Sequence, residues 1–289
     1  MKIKRKPPWL KVSPPWGREF SQTSGILKRF GLETVCKNAN CPNIGECYSS
    51  GTATFLIMGN VCTRNCRFCN IDSGEPPRLD ADEPIKAARA VKAMNLSYAV
   101  VTSVTRDDLP DGGAAHFAET IKRIKSLNPG CPVEVLVPDF KGNTSSLDTV
   151  LAAAPDVFNH NVETVPRLYP ELRPGADYSR SLRVLEYVNK ANPRMPTKSG
   201  LMVGAGETRD ELRELFSDLA EVGVRILTIG QYLPPSADHH PLDRYYHPEE
   251  FREMQHEASE TGIDEVISAP LVRSSYHAKK LLEKLMAEK

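Results

Sequence analysis

The sequence predicts an α/β protein assembled from repeated strand–helix units. Three observations predict it. Short continuous apolar runs recur along the chain, amphipathic helical patterns lie between them, and no run approaches the ~18 apolar residues of a membrane span. Strands apolar on both faces suit a parallel sheet covered on each side. Alternation with helices implies right-handed crossovers.

In chain order, the first 20 or so residues, MKIKRKPPWLKVSPPWGREF, read as an extended arm stiffened by four prolines. Its basic residues Lys2, Lys4, Arg5, Lys6 and Lys11 read either as a solvated tail or as a strip for an acidic partner. Strand candidates follow at Ala53–Met58, Tyr98–Ser103, Val133–Val137, Asp156–Asn159, Leu201–Gly204 and Arg225–Gly230. Helical patterns occupy Glu83–Asn95, Ala114–Ser126, Ser145–Ala153, Ser179–Asn189, Thr208–Val222, Pro248–Thr261 and Ser275–Glu288. The helix over 208–222 carries Leu212, Leu215, Phe216 and Leu219 at helical spacing, and Thr208 with Glu211 makes a capping box. Six such units fit an incomplete barrel, though composition and periodicity alone do not separate that from a doubly wound sheet.

The chain has 289 residues, with 37 Lys and Arg balancing 37 Asp and Glu, which argues against nucleic-acid binding through bulk positive charge. No apolar stretch follows the basic N-terminus, so a secretory signal is not expected and a cytoplasmic protein without membrane association is. No segment reads as a dimer helix, so a monomer is expected.

Of seven cysteines, six fall within 34 residues and Cys131 stands alone. The six form two triplets: C-x4-C-x5-C at Cys36, Cys41 and Cys47, and C-x3-C-x2-C at Cys62, Cys66 and Cys69. A secreted disulfide domain would be short and would spread its cysteines. Structural zinc is closed by four ligands, and neither triplet has a fourth Cys or His nearby. A [4Fe–4S] cluster can be held by three thiolates, leaving one iron open.

The second triplet, CTRNCRFC, resembles the cluster loop of the radical S-adenosylmethionine (SAM) superfamily. That resemblance implies a partial (β/α)6 TIM-like barrel with N-terminal and C-terminal extensions. It also implies a cluster on Cys62, Cys66 and Cys69 whose open iron chelates SAM, with Phe68 near the adenine or simply packed. Ligands in such folds sit at the C-terminal ends of strands. Thr102, Ser103, Thr105 and Arg106, then His160, Asn161 and Glu163, and then Met202 within GLMVGAGET fall there. Ser103, Asn161, Glu163, Met202 and Arg173 are the candidate SAM contacts, with Asn161 and Glu163 directed at its ribose and polar ends. Arg173 reads equally as a solvated arginine. The GAG turn before Thr208 reads either as a carboxylate site or as a plain strand-to-helix turn.

CKNANCPNIGEC, NHNVETVPRLY, LRPGADYSRSL and VRSSYHA together resemble the lipoyl synthase family from about Lys6 to about Ala278. By that resemblance, residues 1–50 carry an auxiliary cluster on Cys36, Cys41 and Cys47, residues 51–262 form the barrel, and residues 263–289 supply a serine ligand. Ser275 is favoured over Ser274, while RSSY alone reads as a helix N-cap. The implied reaction inserts sulfur at C6 and C8 of an octanoyl-lysine, with the auxiliary [4Fe–4S] cluster as the sulfur donor. The implied partners are octanoylated lipoyl-carrier domains, such as 2-oxoacid dehydrogenase E2 subunits and the glycine cleavage H protein, and a flavodoxin or ferredoxin. Two readings compete: another sulfur-inserting radical SAM enzyme, biotin-synthase-like or methylthio-transferring, and a zinc-stapled binding module. Cys131 reads as an inert thiol, His239 and His240 as part of a loop at the barrel mouth, and Arg273 as orienting the RSSY turn.

Overall fold

The computed structural model describes residues 5–12 and 15–287. Two compact units emerge. The first holds Val12–Asn65 and Asn70–Phe158, and the second holds Cys66–Cys69 and the chain from Asn159 onward, with the N-terminal residues up to Lys11.

The first unit opens with helix α1 (Arg18–Phe30), strand β1 (Glu33–Thr34) and two short helices, α2 (Val35–Asn38) and α3 (Ile44–Ser49). Strand β2 (Thr54–Ile57), the small pair β3 (Val61–Cys62) and β4 (Asp72–Ser73), and helix α4 (Glu83–Ala93) follow. Then come β5 (Ala99–Ser103), α5 (Ala114–Leu127), β6 (Val133–Leu136), α6 (Thr144–Ala152) and β7 (Val157–Asn159), whose last residue enters the second unit. β2, β5 and β6 pair in parallel, and β1 lies antiparallel on β2. Phe55, Leu56 and Ile57 are all buried, so β2 is covered on both faces, as its continuous apolar run predicts.

The expected N-terminal arm is corrected here. Pro8–Leu10 forms a 3-10 turn, and α1 begins at Arg18. The last proline of the arm is Pro15; beyond it Thr23 and Leu27 turn inward at helical spacing. Gly31 ends the helix at φ 63°, a left-handed cap that glycine adopts without a Cβ penalty. Lys2 and Lys4 lie outside the described residues, and Arg5, Lys6 and Lys11 are exposed.

The second unit contains α7 (Tyr169–Leu172), α8 (Tyr178–Ala191), β8 (Thr197–Val203), α9 (Arg209–Glu221), β9 (Ile226–Gln231), α10 (Pro248–Glu260), β10 (Glu265–Ser268) and α11 (Ala278–Ala287). β8, β9 and β10 run parallel. β8 starts four residues before the expected Leu201, because register with β9 buries the polar run Thr197–Ser199 that reads as loop in the sequence. β10 went unforeseen: Val266 and Ile267 are too short a run to signal a strand, and pairing with β9 recruits them. The last helix begins at Ala278 rather than Ser275, and Glu288 of the expected span lies outside the described residues. α9 conforms to expectation. Leu212, Leu215, Phe216 and Leu219 are fully buried against Leu201, Val203, Leu227 and Ile229. Among the described residues no helix is long and apolar enough to cross a membrane.

The Thr208–Glu211 capping box is complete, and Arg167 adds a 2.7 Å ion pair to Glu211. Thr208→Ala should cost about 1 kcal/mol in urea unfolding at neutral pH. The hydrogen bond from Arg167, against a smaller opposing effect of burial, holds Glu211 down to about 2. Its folded pKa lies below its unfolded value of about 4.3, so its contribution is fully present above that value and disappears as pH falls toward 2. Glu211→Gln should therefore destabilise at about pH 6 and converge on the parent near pH 2. Urea midpoints that keep the same separation at both ends of this range would rule that out.

Candidate active site

The first cysteine triplet sits on short helical turns. Thr34 caps α2, accepting from Lys37 N–H at 3.3 Å, and places Cys36 in the interior at 6% exposure. Cys41 N–H donates to the Cys36 carbonyl at 3.0 Å, and Cys47 N–H on α3 donates to the Asn43 carbonyl at 2.9 Å. Tyr48 braces this layer: its hydroxyl meets Thr34 Oγ1 at 2.7 Å, its carbonyl accepts from Thr23, and its ring stacks on Phe20. The three thiols are electrostatically coupled. Burial pushes Cys47 up to about 12, and the neighbouring thiolates of Cys36 and Cys41 push in the same direction. Burial also raises Cys36, against hydrogen bonding from Thr54. A cation beside such thiols would favour their ionised form.

The second triplet is divided between the units. In the first unit, Cys62 Sγ accepts two backbone N–H groups, from Arg64 at 3.4 Å and Thr105 at 3.3 Å. Thr63 ties the loop to the segment after β5. Its N–H and hydroxyl both donate to the Thr105 carbonyl, and its oxygen accepts from Asp107 N–H. Arg64 donates in pairs to Asp107 (2.7 and 3.0 Å) and to Asp139 (3.0 and 2.7 Å). Burial opposes its charge, but these bonds outweigh it and raise the guanidinium above its ordinary range. In the second unit, Arg67 N–H donates to the Leu172 carbonyl at 2.8 Å, and Phe68 packs against the hydrophobic core. His239 Nε2 lies 3.1 Å from the Cys69 carbonyl, and His240 N–H donates to the Arg67 carbonyl. The histidine pair thus anchors Cys66–Cys69. Arg64, Asp107, Asp139 and this anchoring role escaped the sequence reading. The available signal was the placement of VTRDD and VPDF directly after two strands.

The strand ends of the second unit collect the other candidates. Asn161 Nδ2 donates to Glu163 Oε1 at 3.0 Å and to Ser274 Oγ at 3.2 Å, while its Oδ1 is buried without a partner. Gly200 makes room for it; a Cβ there would stand 2.9 Å from that Oδ1 and 2.6 Å from Thr228 Oγ1. Glu163 holds a left-handed φ of 67°, costly for a residue with a side chain and the kind of strain that accumulates at functional sites. Burial raises its carboxyl, with Arg173, Asn161 and Arg273 pulling the other way. Arg173 is half-buried. It donates to the carbonyls of Asn161 and Val162 and to Tyr169 Oη. Met202 lies on β8 against the core. The GAG turn is filled from within, because Glu207 accepts from Gly204 N–H at 2.6 Å and Ala205 N–H at 3.0 Å. In the first unit, Ser103 Oγ at the end of β5 is buried without a partner.

Comparison with known proteins decides what this chemistry serves. Residues 56–219 match the radical SAM superfamily. The lipoyl synthase of Caldicellulosiruptor saccharolyticus is 54% identical over 276 residues, 96% of this chain and 97% of that protein. That of Alkaliphilus metalliredigens is 51% identical over 98% of each. The chain belongs to the lipoyl synthase family of the radical SAM superfamily. Two solved structures share the fold at low identity. SuiB of Streptococcus suis bound to S-adenosylmethionine has a TM-score of 0.56 at 12% identity, covering 71% of this chain and 46% of that one. HydG, a maturase of the [FeFe]-hydrogenase, has 0.57 at 13%, covering 92% and 74%. The partial-barrel α/β class is therefore that of the superfamily. As a lipoyl synthase, the chain uses S-adenosylmethionine and [4Fe–4S] clusters, and the zinc-module and other sulfur-insertion readings give way.

Each unit by itself offers polar atoms of the kind such groups use: the buried thiols of Cys36 and Cys47, the Cys62 thiol under two N–H donors and the unpartnered Ser103 Oγ in the first, and the unpartnered Asn161 Oδ1 in the second. Arg173→Ala should leave two carbonyls and a phenol short of a donor and destabilise this lipoyl synthase by about 1–3 kcal/mol in urea unfolding. An unchanged midpoint would show that water replaces the guanidinium.

Proposed function

We propose that the chain inserts sulfur at C6 and C8 of an octanoyl group held in amide linkage on a lysine of a lipoyl-carrier domain. The presence of the C-x4-C-x5-C triplet at Cys36, Cys41 and Cys47 beside CTRNCRFC in one chain, in a protein of the lipoyl synthase family, carries this reading. The bound cofactors supply one-electron cleavage, hydrogen-atom abstraction and sulfur.

The residues divide the work. Cys62, Cys66 and Cys69 hold the cluster that meets SAM, and Cys36, Cys41 and Cys47 hold the auxiliary one. Ser103 Oγ and Asn161 Oδ1 offer unsatisfied acceptors to SAM, and the Glu163 carboxyl is suited to a ribose hydroxyl. Phe68 and Met202 supply apolar contact, and Arg173 holds the Asn161 backbone. The two RSSY hydroxyls differ. Ser274 Oγ accepts from Asn161, whereas Ser275 Oγ makes no hydrogen bond among the described residues, which supports Ser275 as the iron ligand. Residues 1–50, 51–262 and 263–289 then act as auxiliary-cluster segment, barrel and ligand-bearing tail. The 2-oxoacid dehydrogenase E2 subunits and the glycine cleavage H protein are the fitting carriers. Flavodoxin or ferredoxin is the fitting reductant, for a monomer in the cytoplasm.

The test is anaerobic mass spectrometry of an octanoyl-lysyl carrier domain incubated with cluster-reconstituted protein, SAM and reductant. The expected product has two hydrogens replaced by two sulfurs, from protein holding about eight irons per chain. Cys47→Ala and Ser275→Ala should still form 5′-deoxyadenosine while losing the sulfur-containing product, with Cys47→Ala near four irons. Dithiolated product from Ser275→Ala at the parent's rate would remove that residue from the ligand set.

A further inference from the structure

Arg64 carries no chemistry of its own, yet it is the most heavily engaged side chain of the CTRNCRFC loop. It is 9% exposed and makes four charge-assisted hydrogen bonds to two carboxylates. Asp139 is closed from solvent at its side chain, and Asp107 is 23% exposed. Both acids follow directly on parallel strands, Asp107 after β5 and Asp139 after β6. Their positions are therefore set by sheet register rather than by the loop. Asp139 is fixed in turn by accepting from Lys141 N–H at 3.1 Å. The backbone N–H of Arg64 points at Cys62 Sγ, as does that of Thr105, and Thr63 joins these two segments. A planar guanidinium that fills two carboxylate forks has little freedom to rotate or shift.

We infer that Arg64 is a positioning residue: its clamp on Asp107 and Asp139 holds two backbone N–H donors on the Cys62 thiolate and thereby sets the reduction potential of the cluster bound there. N–H···S bonds favour the more negative, reduced state of a cluster, so losing or lengthening them makes reduction harder. The inference rests on Cys62 being a cluster ligand, which is tested separately.

The experiment uses the full-length holoenzyme. Cys62→Ala should drop iron from about eight to about four per chain; retention of the full complement would remove the ligand reading itself. Arg64→Lys conserves the charge but cannot span both forks. Thr63→Val conserves charge and volume while removing the hydroxyl link between the two donor-bearing segments. Redox titration follows the EPR signal that SAM perturbs, which singles out this cluster from the auxiliary one. Both variants should shift the midpoint to more negative potential, so that the reduced fraction at a fixed potential near the parent's midpoint falls severalfold. The Arg64 variant should shift further. A purely structural clamp would lower the melting temperature and leave the potential unchanged. A parental or more positive midpoint in both variants overturns the proposal. If Arg64→Lys yields no holoenzyme, Thr63→Val decides alone: a negative shift supports the clamp and a parental value overturns it.

Discussion

The ion triad of Arg64, Asp107 and Asp139 is the constraint on which the cluster loop depends. Between Cys62 and Cys66 the loop reads Thr-Arg-Asn, with no apolar side chain to bury, so hydrophobic packing does not fix that part. The chain instead borrows rigidity from the sheet. Parallel pairing aligns Thr102 on β5 with Leu136 on β6, and each strand sends an acid from just beyond its end onto one guanidinium. Two carboxylates and one cation leave an excess negative charge in a poorly hydrated place, and the desolvation of all three is expensive. Such a triad is weak evidence for stability. Its geometric definition is another matter: four directed bonds to one planar group fix orientation in a way that a hydrophobic replacement of equal volume does not.

The two thiol triplets meet the same requirement by different means. Around Cys62, two backbone N–H groups, of Arg64 and Thr105, approach the sulfur. Around Cys36 and Cys47 the dominant effect is burial, reinforced by thiolate repulsion, so the apo protein favours neutral thiols. Donors of the second kind gain most from a cationic centre and hold it on terms that depend strongly on ligand protonation.

The parallel strands and long helices were legible because their signals are local. Apolar runs covered on both faces mark β2, β5 and β6, and the Thr208–Glu211 box marks the start of α9. Two of the errors share one cause. Thr197–Ser199 is polar yet buried through its register with β9, and β10 has only Val266 and Ile267 to announce it. Both become strands only because a neighbour is already in place. α1 was hidden by the prolines before it. At the site, the cysteine spacing was visible in the sequence because each triplet lies within one short segment. The partners of Arg64 lie 43 and 75 residues away, and no local pattern joins them. The anchoring of Cys69 by His239 spans 170 residues and was invisible for the same reason.

Asn161 concentrates the remaining logic of the second unit. Its two amide hydrogens are divided between the Glu163 carboxylate and the Ser274 hydroxyl, so the strand-end carboxylate and the RSSY turn draw on a single donor group. The remaining acceptor, Oδ1, has no partner and occupies space that a side chain at position 200 would take. The orientation of this amide is therefore settled by its neighbours, because flipping it would set its oxygen against the Glu163 carboxylate. A ligand that donates to Oδ1 meets an amide already polarised by two acceptors, and hydrogen bonds in such chains strengthen one another. Ser274 is consumed by this arrangement. The RSSY turn is thereby tied to the strand end through Ser274 and not through its neighbour Ser275 among the described hydrogen bonds.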